Sequence, residues 1–539
     1  MKLTKKTAKG IEEVLNRWNE VSVPVSIEGT DVEVSPEYFS VLLKSGSEQE
    51  VSHIDGRRVN PPDKEKDSCM TVTAHMGKDS QGSGVARGGM TGLSEDISLL
   101  KIGFDSFMNG LVKQGAVRYI QGIAESILTT KSSLLEPGGV YNKVTYKQPS
   151  VNENSTSRFF EEEVLQFVEE LRKVKGVRRV SSEIQVTRGQ SLFLDTGGSK
   201  IFQNKELISL SYGLHGEKNN GKDLRTGTNL YFTRKGNYEQ RKLERRVEQL
   251  ICDVEARRGA IRINTGAYPV LLDGAATATF FHEALAAHLL SGKYIAEGHS
   301  TVFSGRIGDQ ILPEGITVID DATVKDGLGS YAYDEEGVKG QKVVLVEDGI
   351  LKNYLLDKTS AARLSTMLDE QFYSNGKARS QWAVATNEDG EQVVISPEPR
   401  VTNLLVECEG LLEEGLLYEG LKQVIRDTPN TDYGLFVEGG GGQVYIVDGQ
   451  FTLFPERAWR VDAKGNKEMV EGVKLIGNPD EFFGLVLAAG HPYRSFYGIC
   501  GSSSGGVPTQ HRGPAFLLER VTAIAMAEDS LTPRLLPRL

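Results

Sequence analysis

Twice in the second half of the chain an alternating apolar run stops at Asp-Gly. Residues 343–347 lead into Asp348–Gly349, and residues 443–447 lead into Asp448–Gly449, with a further apolar run at 451–454. Asp-Gly supplies two residues that accept positive φ, which the tight turn of a right-twisted hairpin requires, so this texture commits the region to antiparallel β structure. Glycine is 59 of 539 residues, about 11% against a usual ~7%, and it follows no fixed period, which fits many turns and excludes a collagen-like repeat.

The first half has a different texture. A polar segment at 146–157 precedes Phe159, Val164, Leu165, Val168 and Leu171 at helical spacing, which predicts a helix to about Lys173. Residues 182–187 and 191–195 read as strands, with a turn at 196–198 after the second, and residues 207–214 alternate as another strand. From Tyr238 to Arg258 a charged helix carries one apolar stripe through Leu243, Val247, Leu250, Ile251 and Val254. The expected fold class is therefore α+β: an N-terminal α/β domain with helices on an antiparallel sheet, then a β-rich C-terminal domain. Residues 1–150 are read as an N-terminal extension and the start of the α/β domain, 151–265 as the rest of it, and 266–539 as the β-rich part.

Composition removes several functions. Lys and Arg total 62 against 73 Asp and Glu, and a chain at net −11 repels nucleic acid unless a local basic patch intervenes. The basic run at 171–179 is expected to be a solvated helix end. No apolar stretch approaches the ~20 residues that cross a bilayer, and the N-terminal segment lacks the apolar core of a signal peptide, so a soluble, cytoplasmic protein is expected. Cys69, Cys252, Cys408 and Cys500 form no CxxC pair, so any cysteine that matters acts singly.

The sharpest local feature is FFHEALAAHLLSG at 280–292, where Glu283 follows His282 and a second histidine, His288, comes six places after the first. Two imidazoles that hold zinc, with a carboxylate beside the first to activate water, form the layout of a metallopeptidase helix. On a straight helix at ~100° per residue, positions i and i+6 stand about 120° apart, so a shared metal requires a bulge or kink between Ala284 and Ala287. A third ligand is needed, and the downstream candidates are Cys500, His491 and His511. The plainer reading makes both histidines ordinary helix residues. Asp320 and Asp321 are candidates for orienting an imidazole or for forming a turn, and His53, His75, His215 and His299 are expected to be solvated.

These segments occur together with VFSGRIGD at 302–309, VIDDATV at 318–324, the run from Tyr333 to Lys358, EGGGGQVYIVDGQF at 438–451 and YGICGSSSGGVPTQHRGPAFLL at 497–518. In order and separation they resemble the TldD/PmbA family of zinc metallopeptidases, in its TldD-like branch. The resemblance implies Zn²⁺ held by His282, His288 and Cys500, with Glu283 as general base. It also implies an oligomer cavity that admits unfolded or extended peptides, formed as a homodimer or as a heterodimer with a PmbA-like subunit. One departure is that the family's two histidines are five residues apart, whereas here they are six. Another is that the acidic residue that follows the family's second histidine is replaced by Leu290–Ser291. The alternative function is accordingly a metal-free, PmbA-like partner or regulatory subunit. A third reading makes Cys500 a nucleophile with His511 as its base.

Overall fold

A computed structural model describes residues 4–27, 30–34, 36–59, 67–76, 84–91, 93, 97–129, 144–147, 156–233, 238–382, 385–386, 392–393 and 395–526. Most of the polar segment at 146–157 and the His75 side chain lie outside the described residues. Among the described residues no helix is long and apolar enough to cross a membrane.

The first sheet is built on an antiparallel path through strands Asp223–Phe232, Lys200–Glu217, Val177–Asp195, Pro36–Ile54, Asp67–Met76 and Gly84–Thr91. Because side chains alternate across a strand, Phe39, Val41 and Leu43 share one face with Met70, Val72, Leu192 and Leu194. There they bury against Ile11, Val14 and Leu15 of helix Lys5–Trp18 and Phe104, Met108 and Val112 of helix Ile97–Thr129. Further along, Val180, Ile184 and Val186 bury against Phe160, Val164 and Val168 of helix Thr156–Arg172 and the Leu243–Val247–Leu250 stripe of helix Gln240–Arg258. Helices on an antiparallel sheet, as expected, form this half of the chain.

The two runs at 182–187 and 191–195 are parts of one strand, Val177–Asp195. Arg188, Gly189 and Gln190 carry no apolar signal, yet they stay in register with Ser47, Gly46 and Ser45. Arg188 there meets the Glu206 carboxylate at 2.9 Å, which lets a charge sit within the sheet.

The second sheet joins thirteen strands. Its axis is the long strand Val507–Ala525, which pairs with Val486–Cys500, Gly266–Leu272 and Val473–Gly477 in antiparallel fashion and with Asn403–Cys408 in parallel. At Asp348–Gly349 both residues have positive φ, 50° and 79°, and the hairpin joins Lys342–Glu347 to Ile350–Leu351. The second hairpin is looser. Strands Gly441–Val444 and Phe451–Phe454 pair, but strand ends at Val444 rather than at 447. The Gly449 amide there folds back onto the Tyr445 carbonyl, and only Gly449 of the Asp-Gly pair has positive φ.

Candidate metal centre

Helix Gly274–Phe281 starts at a carboxylate that does two jobs. Asp273 accepts from the Ala276 amide at 2.8 Å, capping the helix, and from the Gly439 amide at 2.9 Å, tying the helix start to the glycine run 439–442. A side chain at Gly274 would meet Gly513 O at 2.2 Å and Arg494 N at 2.6 Å, so glycine lets the helix lie directly on the hairpin of the two longest strands of this sheet.

Beyond Phe281 the ladder widens. The Ala287 amide bonds the His282 carbonyl at 2.9 Å and the Leu290 amide bonds Leu285 at 3.0 Å, both i to i−5, so His282–Ala286 is a π-turn. The break expected between Ala284 and Ala287 thus begins at His282. Alanines at 284, 286 and 287 offer little steric resistance to the wider turn, a common device at functional sites.

The turn delivers His282 into the interior, where it is 2% exposed. Its ring stacks on His511 at 3.9 Å between centroids and 21° between planes, and the Cys500 thiol lies close enough to act on its charge. Burial works to raise the Cys500 thiol, but the Arg400 guanidinium and His282 outweigh it and bring it down to about 6. Burial lowers His282, but Cys500 prevails and its proton is held more tightly than usual. His511 goes the other way: burial and the neighbouring His282 keep it well below the ordinary histidine range, hence neutral. Its Nε2 lies 3.1 Å from Thr509 Oγ1 rather than on Cys500, so the arrangement of a Cys500 nucleophile with His511 as base is not formed. His491 is exposed, on the irregularity between Gly490 and Arg494.

Glu283 and His288 face one another, with Nε2 of His288 3.5 Å from Oε2 of Glu283. Gly442 closes against Glu283, where an added Cβ would lie 2.7 Å from Glu283 Cγ. The structure therefore gathers His282 with Cys500, and Glu283 with His288. Among the described residues, however, no three His, Cys, Asp or Glu side chains converge as a ready metal set.

The sequence profile described as "PmbA/TldA metallopeptidase C-terminal domain" matches residues 265–524. A metalloprotease TldD homolog of Buchnera aphidicola is 26% identical over 356 residues, covering 64% of this chain and 68% of the relative. A metalloprotease of Methanothermobacter thermautotrophicus is 32% identical over 251 residues, 46% of this chain and 48% of the relative. Residues 265–524 thus match the TldD/PmbA family. The crystal structure of TldE from Thermococcus kodakarensis superposes with a TM-score of 0.59 at 16% identity over 90% of this chain and 97% of that one, so this chain shares its fold.

The donor chemistry at His282 and Cys500 suits zinc. A thiolate at near-neutral pH, beside an imidazole whose buried Nδ1 has no hydrogen-bond partner, matches zinc's preference for sulfur and nitrogen; His288 Nδ1 is likewise unpartnered.

Two residues important to the site carried no local signal in the sequence. Arg400 donates to the Cys500 carbonyl at 2.5 Å, to Ser504 Oγ at 2.6 Å and to Gly505 O at 2.9 Å. Glu398 accepts from Ser502, from Ser503 at 2.6 Å, from the Ser504 amide at 3.1 Å and from Lys293. Burial would raise the Glu398 carboxyl, but hydrogen bonds from Lys293, Ser502 and Ser503 hold it down to about 2. Their partners lie about a hundred residues away in each direction, which no window of sequence reveals.

Other expectations resolve as structure. Asp320 is fully buried, 2.6 Å from Lys377 Nζ and bonded to the Thr402 amide and hydroxyl at 2.7 Å, while Asp321 makes a turn with the Thr323 amide. His53 is buried against Glu161 at 2.9 Å rather than solvated, whereas His215 and His299 are partly or largely exposed.

Proposed function

We propose that this protein is a zinc-dependent peptidase acting on unfolded proteins or extended peptides. The observation that carries the reading is the buried Cys500 thiol brought beside His282, the residue immediately before Glu283. His282, Cys500 and His288 would hold the metal. Zinc bound there would polarise the scissile carbonyl and lower the pKa of a water molecule.

The chain's own groups do the rest. Glu283, half-enclosed between the π-turn and the glycine strand, takes the proton of the attacking water on its carboxylate and returns it to the leaving amine. His511, neutral and stacked on His282, keeps that ring in one orientation. Gly441, with no atom within 4 Å of where a β-carbon would stand, leaves room for a peptide backbone beside this strand. The family match supports an oligomer with an enclosed cavity, formed either with a second copy or with a PmbA-like subunit.

Glu283→Gln is expected to retain zinc and lose peptide hydrolysis by ~10²–10⁴, the usual contribution of a proton-transferring group. Unchanged turnover would remove Glu283 as the base.

A second reading, a metal-free partner subunit, is favoured by the six-residue spacing of His282 and His288 and by the pairing of His288 with Glu283. Elemental analysis of untagged protein separates the two: one zinc per chain, lost in Cys500→Ser, supports the peptidase, and none supports the subunit.

A further inference from the structure

The segment that carries His282 and the loop that carries Cys500 meet twice. One meeting is His282 on Cys500. The other lies ten residues further along, where helix Gly292–Ala296 brings Lys293 and Tyr294 against the serines that follow Cys500. Lys293 Nζ reaches Ser503 Oγ at 2.6 Å and also bonds Glu398, and the Tyr294 hydroxyl lies 2.8 Å from Ser502 Oγ. Glu398 sits at the centre of this second meeting, 5% exposed, receiving three consecutive serines from one side and Lys293 from the other. Two residues away Arg400, 2% exposed, holds both ends of the same loop, at the Cys500 carbonyl and at Gly505 O. The strand Glu398–Pro399, which Arg400 directly follows, is itself fixed by pairing with Ala378–Arg379, and Arg379 donates to Val401 O at 2.5 Å and Pro508 O at 2.7 Å.

We propose that Glu398 and Arg400 are positioning residues that clamp the Cys500 loop onto the histidine-bearing segment, so that access to the Cys500 sulfur and the zinc affinity of the site are both set by this buried pair.

The physical argument is one of partition. A loop of Gly501, three serines and two glycines has no apolar side chain with which to hold itself down, and glycine raises the entropy it must lose on ordering. Its closed form depends on polar contacts. Those contacts go to charged groups, which make the stronger hydrogen bonds, and they are enclosed, where loss of one partner leaves the other unsatisfied. Removing the carboxylate charge weakens the hold on Ser502, Ser503 and the Ser504 amide together, and leaves Lys293 with only its direct Ser503 contact to the loop. Cys500, 8% exposed when the loop is closed, then becomes reachable, and zinc binding must supply the ordering that the clamp no longer gives.

The test uses the whole chain with Glu398→Gln and, as a second variant that leaves the buried carboxylate in place, Lys293→Met, which alters a partly exposed side chain. Leu250→Ala, in the core between helix Gln240–Arg258 and the first sheet, serves as the destabilised control. Two quantities are read: the rate at which iodoacetamide modifies Cys500 in metal-stripped protein, followed by peptide mass, and the zinc dissociation constant by competition with a chromophoric chelator. The expected result is a Cys500 rate raised at least 10-fold and zinc binding weakened at least 10-fold in both clamp variants, with the control within twofold of wild type on both readings.

A Cys500 rate within twofold of wild type in Lys293→Met and in folded Glu398→Gln overturns the clamp. So does an equal change in the control, which would make the effect one of general stability. The inference rests on the peptidase reading only for its zinc arm. If the wild-type chain binds no zinc, that reading fails while the alkylation rates still decide the clamp.

Discussion

Gly442→Ala isolates the general base without touching any proposed ligand. A β-carbon at this position lies 2.7 Å from Glu283 Cγ, 3.4 Å from Glu283 Cβ and 3.3 Å from the Thr452 carbonyl. Carbon atoms in good contact sit ~3.5–4.0 Å apart, so the overlap is roughly 1 Å. The strand cannot move away easily, because Gly442 is in register with Leu453 between Gly441–Phe454 and Gln443–Thr452. Glu283 must therefore give way. A side chain driven ~30° from its rotamer costs about 0.5–1.5 kcal/mol, a small part of the stability of a folded chain, so the variant is expected to fold. A reacting group displaced by ~1 Å loses on the order of 10²-fold in rate, and complete loss of the base would reach ~10⁴. Gly441→Ala is the matched control, since nothing lies within 4 Å of a β-carbon there. Positive φ in this run belongs to Gly439 and Gly440, so neither substitution introduces backbone strain. The assay is hydrolysis of a fluorogenic peptide, with zinc content and melting temperature measured alongside. A Gly442→Ala enzyme with kcat/KM within twofold of wild type and of Gly441→Ala would refute the placing of Glu283 at the reacting centre.

In metal-stripped protein, Cys500 alkylation is expected to rise with pH about a midpoint near 6, because Arg400 and His282 favour the thiolate despite burial; a midpoint at the ordinary thiol value would contradict that environment. The linked stability has a definite sign: a depressed folded value stabilises the fold above the unfolded thiol range, and that contribution is lost as pH falls from there through about 6, so Cys500→Ser should flatten the denaturation profile in this window. Lys377→Met leaves the Asp320 carboxylate enclosed without its cation, and should cost about 3–5 kcal/mol in urea unfolding; a change under 1 kcal/mol would mean that the Thr402 contacts alone satisfy Asp320. Deleting Ala287 restores the five-residue histidine spacing. Zinc affinity should then hold or rise, whereas zinc binding that appears only in the deletion would identify the parent as the metal-free subunit.

Much of the site could be named from the linear sequence because its chemistry is local. His282, Glu283 and His288 lie on one short segment, and a metal shared by the two histidines would require a departure from regular helix; the structure has a π-turn over His282–Ala286. The Asp-Gly pairs announced hairpins because a tight turn is decided by two residues. Strand Val177–Asp195 was read as two because Arg188 and Gln190 look like a break until Glu206 and Asn204 are seen opposite. Only the tertiary structure decided which distant groups meet. It put Cys500 on His282 and stacked His511 on that ring instead of aiming it at the thiol. It also brought Glu398 and Arg400 under a loop about a hundred residues away. Spacing along a helix or across a turn follows from bond geometry, and so is written in the sequence. Long-range pairing depends on which sheet faces pack and where each strand stops in its register, which no local pattern of residues specifies.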